Sequence, residues 1–300
     1  MSQATRPRPT SLQVWRAAIR PATLWAGAVP VFVGSALAVS DGFRSWMPAL
    51  AALVGAVLIQ IGTNLVNDYA DFATGADGPD RLGPPRATAQ GWLTARQVAV
   101  GAATALAGAT GVGVYIVWVG GWPMFWVGIA SLVCAVAYTA GPFPLGYHGL
   151  GDLFVFLFFG LAAVCGTYYL QTGQVSEGAI CAAVAVGALA TAILVVNNLR
   201  DRHTDARVGK RTLAVRLGAR GARLEYALLM VLGYGAVAYA VATGHGGVGW
   251  LLALASLPIA WRETRAVFAK DGAELNPHLG GAARLELVFG LLLSLGALLW

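Results

Sequence analysis

The chain has 300 residues, of which 57% are hydrophobic and only 11% charged, and its mean hydropathy is +0.66. Soluble domains carry about 25% charged residues, so this composition excludes a large soluble protein and places the chain with polytopic membrane proteins. The formal net charge is +6, a surplus carried in a few loops, and no nucleic-acid partner is expected.

Residues 11–20 come first. Leu12, Trp15 and Ile19 fall on one helical face beside Arg16 and Arg20, the pattern of a short helix lying in the headgroup layer. An apolar run over 22–39 follows. Its Ala36-Leu37-Ala38 resembles a signal-peptidase site, but the run and the leader before it are both long for a signal peptide. A retained first span is expected. Further apolar runs of about 20 residues, the length needed to cross a bilayer, lie at 47–66, 97–119, 122–140, 153–170, 178–196, 224–243 and 283–300, with a shorter one at 250–261. The predicted fold is therefore an all-α bundle of nine transmembrane helices. Residues 1–21 form a cytoplasmic or interfacial segment and 22–300 a single membrane domain.

The cations orient this bundle. With the N-terminus in the cytoplasm, four Arg precede span one, three lie between spans two and three, eight Lys/Arg between six and seven, and four at the junction of eight and nine. Of the 20 cationic residues only Arg44 falls outside, a strong positive-inside bias. Cys134, Cys165 and Cys181 sit in apolar stretches without metal-ligand spacing and read as small buried hydrophobes.

Two acidic clusters end spans two and six. The first is Asn64-Leu65-Val66-Asn67-Asp68-Tyr69-Ala70-Asp71, with Gly75 and Asp77 beyond. The second is Asn197-Asn198-Leu199-Arg200-Asp201-Arg202-His203-Thr204-Asp205, with Gly209 and Lys210 beyond. Both fall on the cytoplasmic side. Asn64, Asp68 and Asp71 follow i, i+4, i+7, and Asn197, Asp201 and Asp205 follow i, i+4, i+8, so each set shares a helix face. Each face offers an amide oxygen and two carboxylates. Mg²⁺ takes oxygen ligands, commonly one or two carboxylates plus substrate phosphates, so two facing clusters could each hold one Mg²⁺ and clamp a diphosphate. Arg81, Arg86, Lys210 and Arg211 lie just beyond, where cations would neutralise the leaving group. The plainer alternative is a pair of solvated helix ends with salt bridges such as Asp201 to Arg200 or Arg202. Matching clusters on one side favour function, because ionisable groups at membrane depth are costly.

Weaker signals surround these. Gly209-Lys210 lacks the following Ser/Thr of a phosphate loop. The stretch Tyr138-Thr139-Ala140-Gly141-Pro142-Phe143-Pro144 reads as a helix end and turn, and its aromatics could border a carbocation or mark the membrane interface. Asp152 opens span five, facing the same cavity or capping its helix. His148, His203 and His245 form no ligand pattern.

Three stretches carry a family resemblance: Asn67-Asp68-Tyr69-Ala70-Asp71 through Gly75, Asp77, Arg81, Gly83-Pro84 and Arg86; Tyr147-His148-Gly149-Leu150-Gly151-Asp152 with 155–160; and Asn197-Asn198-Leu199-Arg200-Asp201 through Asp205 and 209–218. Over nearly its whole length the chain resembles the UbiA-type intramembrane aromatic prenyltransferases, most closely the MenA branch. The wider superfamily usually has a third Asp where Gly75 stands here, which leaves open whether Asp77 touches metal. The resemblance implies nine helices around a central cavity with a cytoplasmic cap, in a bacterial plasma membrane. It implies Mg²⁺-dependent transfer of a polyprenyl group from its diphosphate to 1,4-dihydroxy-2-naphthoate with loss of the carboxyl group. Asp68, Asp71, Asp201 and Asp205 would be the catalytic metal ligands, with Asn64, Asp77 and Asn197 as further candidates. Asn64, Arg81, Arg86, Tyr138, Asp152, Asn197 and Lys210 would bind substrates. Membrane lipid is the expected surrounding, and a membrane site suits a prenyl donor. The alternatives are a sister enzyme with another acceptor, such as hydroxybenzoate or a chlorophyllide, and an ion-coupled transporter. The latter calls for acidic residues deep in the bilayer and on both sides.

Overall fold

The computed structural model describes residues 9–75, 78 and 81–299. Helices α1 (Ser11–Ile19) and α2 (Pro21–Ser40) meet at Arg20, which adopts a left-handed φ of 56°. Pro21 at the first position of α2 suits a helix start, where its missing N–H costs nothing. Helix α3 spans Trp46–Ala73. The 43-residue segment Ala95–Ala137 is two spans joined without a loop. Gly121, at φ 65° and ψ −156°, breaks it into α4 (95–120) and α5 (122–137), a conformation open to glycine and strained for other residues.

Helix α6 (Gly151–Thr172) widens to a π-helix over Phe156–Cys165. Then come α7 (Glu177–Arg207) and α8 (Leu213–Ala242), the latter broken near its start at Gly218. Helix α9 combines a 3₁₀ stretch, Val248–Ser256, with the α-helix Leu257–Ala269. Helix α10 (Asn276–Leu299) closes the chain. Among the described residues, α2 to α10 give nine membrane-length helices, as the hydropathy pattern predicts. The eighth is longer than its 250–261 apolar run. A 3₁₀ helix rises about 2 Å per residue against about 1.5 Å for an α-helix, so the two pieces of α9 together reach a bilayer's thickness. Arg262, Glu263 and Arg265 in its last turns obscure it as a span.

Helix α7 lies at the centre. Ala179, Ala182, Ala183, Ala185 and Ala188 are fully buried, and such small residues let membrane helices approach closely. A Cβ on Gly160 of α6 would stand 2.6 Å from the Ala183 carbonyl and 2.9 Å from Gly187 Cα, so the α6 and α7 backbones touch there. A smaller core joins α1 to α3, α4 and the intervening loop through Val14, Ala18, Leu65, Ala87, Leu93, Val98 and Ala102. The inward face of α1 is thus Val14 and Ala18, with Trp15 packed against them, and Leu12 is 71% exposed. The helix meets protein at close range, and small side chains fit that contact.

Both acidic clusters ride on helical extensions: α3 and α7 continue past their apolar runs to Ala73 and Arg207. The loops at this end are tied into a cap. The Arg211 amide donates to the Tyr147 carbonyl (2.9 Å). Arg216 Nη2 donates to the His148 carbonyl (2.9 Å), and Asn276 Nδ2 to the Leu82 carbonyl (2.8 Å). Arg202 pairs with Asp271. At the opposite end, Tyr168 donates to Asp41, and His245 meets Glu177 at 2.7 Å.

Candidate active site

An apolar chamber of about 560 Å³ lies between α2, α3, α4, α5 and α6. Val31, Ile59, Ile116, Phe125 and Phe158 are among its walls, and Asn67 and Tyr138 stand at its polar, capped end. Thr139 donates to Asn67 Oδ1, joining the end of α5 to α3.

Three carboxylates converge on Tyr138. Burial first, then the charges of Asp152, Asp205 and Asp71, push its hydroxyl well above the usual tyrosine range. Tyr147, on the 3₁₀ turn Leu145–His148, is pushed up to about 12 by burial and by the same Asp71 and Asp205. Its hydroxyl donates to Asp71 Oδ1 at 3.2 Å. The Tyr147 phenol therefore stays protonated and serves as a hydrogen-bond donor.

Each cluster brings its own cation. Arg86 Nη2 donates to Asp71 Oδ2 at 3.3 Å, both side chains being 9% exposed. Lys210 Nζ lies 3.5 Å from Asp205 Oδ1 and 5.6 Å from the centre of the Tyr147 ring. Asp205 Oδ2 is buried and makes no hydrogen bond. Asp201 is held from both sides by Arg200, through Nε (2.8 Å) and Nη2 (2.5 Å). The same guanidinium donates to Asn197 Oδ1 (2.8 Å) and Asn276 Oδ1 (3.1 Å). Each carboxylate oxygen has two lone pairs, so Asp201 retains acceptor capacity beside Asp205.

The other predicted residues have other surroundings. Asn64 Nδ2 donates to the Ile19 carbonyl and to Thr23 Oγ1, both at 2.8 Å, so its amide holds the α1–α2 junction. Asp68 is fully buried. Arg20 and the Ala87–Thr88 turn lie against it. Arg81 Nε donates to its own loop at the Pro84 carbonyl (2.9 Å). Asp152 is 5% exposed beside Tyr138. Asp77 lies outside the described residues.

Two members of the site escaped the spacing argument. Asn67 stands i−4 to Asp71, a relation visible in the sequence but overshadowed by Asn64. Tyr147 reaches Asp71 across 76 residues, and no local pattern reports that. Among the described residues no three His, Cys, Asp or Glu side chains form a ready-made metal cage. The donor chemistry nonetheless fits Mg²⁺, which needs only one or two carboxylates when substrate phosphates complete its shell. Asp205 Oδ2, buried and without a hydrogen bond, is the kind of donor such an ion uses.

Comparison with known proteins accords with this arrangement. The model of the UbiA prenyltransferase family matches residues 27–277. The chain is 39% identical to 1,4-dihydroxy-2-naphthoate octaprenyltransferase of Mycobacterium tuberculosis, over 96% of this chain and 97% of that one. It is 37% identical to the Haemophilus influenzae protein of the same name, over 96% of each. Its fold matches a UbiA homolog from Archaeoglobus fulgidus bound to GPP and Mg²⁺, with a TM-score of 0.61, 16% identity and coverage of 94% of this chain and 99% of that one. A polar, cation-flanked carboxylate site above an apolar chamber, in a nine-helix membrane bundle with these relatives, places the chain in the UbiA prenyltransferase family.

Proposed function

We propose that the chain transfers a polyprenyl group from its diphosphate to 1,4-dihydroxy-2-naphthoate, releasing carbon dioxide and forming a demethylmenaquinone skeleton. The observation that carries this reading is the pair Asp71 and Asp205. Each has its own cation, and they act on the same two tyrosines at the mouth of an apolar chamber. The acceptor rests on the near-full-length relatives of that name.

In this reading Asp71, Asp201 and Asp205, with Asn67, would hold Mg²⁺, and the bound ion would supply charge neutralisation for the diphosphate. Arg86 and Lys210 bind the diphosphate oxygens, and the Tyr147 hydroxyl donates to them. The chamber takes the prenyl tail and keeps water from the allylic carbon, where hydrolysis would compete. The Tyr138 ring at the chamber's mouth offers a face that attracts the developing cation. Asp68 and Asn64 hold the α1–α2–α3 junction.

Purified protein supplied with polyprenyl diphosphate, Mg²⁺ and dihydroxynaphthoate should release carbon dioxide and yield the prenylated ring by mass. With 4-hydroxybenzoate the yield should be poor. Efficient prenylation of 4-hydroxybenzoate with its carboxyl group retained would overturn the acceptor assignment and leave the diphosphate site standing.

We place the cap at the cytoplasmic face of a bacterial plasma membrane, the side that the distribution of cations favours. Ala206 at the capped end and Gln174 at the other are both exposed. In a background lacking the native cysteines, Ala206→Cys should react with an impermeant thiol reagent only in inside-out vesicles, and Gln174→Cys only in right-side-out ones. The reverse pattern would invert the topology.

A further inference from the structure

Of the three carboxylates around Tyr138, two have cation partners and one has none. Asp71 meets Arg86 and Asp205 meets Lys210. Asp152 is 5% exposed, and among the described residues no other residue donates a hydrogen bond to either of its oxygens. The charged groups that face it are themselves acidic or neutral: Glu225 on α8, and Tyr138 at the end of α5. A buried carboxylate without donors is costly, and a ligand that brings hydroxyl groups would supply them.

The position suits such a ligand. The backbone of Gly151 rests against the Tyr138 hydroxyl, where a Cβ would come within 2.8 Å. Phe154 and Val155, on the next turn of α6, line the apolar chamber, as does Tyr138 itself. Asp152, beside Gly151 and one turn or less from these lining residues, therefore sits at the Tyr138 end of the chamber.

The geometry points to Asp152 as a catalytic residue that binds a ring hydroxyl of the aromatic acceptor and takes its proton. This rests on the prenyl-transfer reading and divides the site: Asp71 and Asp205 serve the donor, Asp152 the acceptor. As the hydroxyl O–H bond breaks, its proton passes to the Asp152 carboxylate. The oxygen electrons flow into the ring, whose ortho carbon bearing the carboxylate forms the new bond to the allylic carbon. The allylic C–O bond breaks, and its electron pair leaves with the diphosphate. The ring ketone so formed is β to the carboxylate. Loss of carbon dioxide returns that electron pair to the ring, and the enolate oxygen recovers the proton from Asp152. No oxidant or reductant is consumed, and Asp152 ends as it began.

The test uses the full chain in lipid nanodiscs, with Mg²⁺, polyprenyl diphosphate and dihydroxynaphthoate. Asp152→Asn keeps the size and cannot take a proton. Its turnover should fall by about 10²–10⁴-fold, the usual worth of a general base, while its affinity for polyprenyl diphosphate, measured without acceptor, stays unchanged. Asp152→Glu should keep more activity than Asn. A ring-fluorinated dihydroxynaphthoate, whose hydroxyls ionise more readily, should narrow the gap between Asn and the unaltered chain; a merely structural defect would not respond. Near-normal turnover by Asn, an equal deficit with both acceptors, or lost diphosphate affinity would each overturn the role of Asp152. An unaltered chain that fails to prenylate dihydroxynaphthoate would overturn the underlying reading and this role with it.

Discussion

Replacing Asp71 or Asp205 with Asn should lower prenyl transfer by about 10²–10³-fold, the scale of losing one group that stabilises developing charge. The folded bundle should survive. Asp71 is bound by Arg86 and Tyr147, and Asp205 by Lys210, so each change removes charge from a place that concentrates it. Functional carboxylates are held at a cost in stability, so thermal midpoints should stay level or rise. Raising Mg²⁺ should recover part of the rate in either variant, since fewer charges then hold the ion. Asp68→Asn provides the contrast. Its side chain faces Arg20 and the Ala87–Thr88 turn, so its rate loss should be distinctly smaller. A loss of about 10²–10³-fold at Asp68→Asn, with Asp71→Asn close to normal, would move the ligand role on α3 from Asp71 to Asp68.

That contrast marks how far the sequence reaches. Nine spans are legible because hydropathy acts locally and adds up along the chain. The boundary of α9 is not, since its 3₁₀ start and charged last turns hide a full crossing behind a 12-residue apolar run. Within the site, i+4 and i+7 spacing from Asn64 correctly groups side chains by helix face. A face of α3, however, has two neighbours: α1 with Arg20 on one side and the Tyr138–Tyr147 segment on the other. Asp68 and Asp71 are three residues apart, about 60° around the helix, and they meet different ones. Periodicity says which residues share a stripe. Which part of the stripe meets the cavity depends on tertiary contacts such as Tyr147 to Asp71 and Thr139 to Asn67, and neither leaves a mark in local sequence. The plainer reading of the second cluster also finds its counterpart: Asp201 does pair with Arg200, on the helix that carries Asp205.

Arg200 should be the most structurally sensitive side chain of the cap. It is 1% exposed and holds Asp201, Asn197 and Asn276, while Asn276 in turn holds the Leu82 carbonyl. One guanidinium thus links α7 to α10 and, through Asn276, to the loop that delivers Arg86. A Cβ at Gly83 would stand 2.9 Å from Arg200 Nη2, so that loop lies directly on the guanidinium. Arg200→Ala leaves buried acceptors without donors and Asp201 without its counter-charge. Removing one partner of such a pair costs about 3–5 kcal/mol, a large part of ordinary folding stability. The expected result is a clear drop in the thermal midpoint of the purified protein together with loss of turnover. Arg200→Lys should not rescue it, because an ammonium cannot reproduce the planar fork that reaches three partners at once. Adding Asp201→Asn to Arg200→Ala should recover part of the stability by removing the stranded charge, yet none of the activity. That split separates the two duties of Asp201, as partner of Arg200 and as metal-facing carboxylate. An Arg200→Ala protein that melts with the unaltered chain would show that the cap is held by Arg202–Asp271 and the backbone links alone.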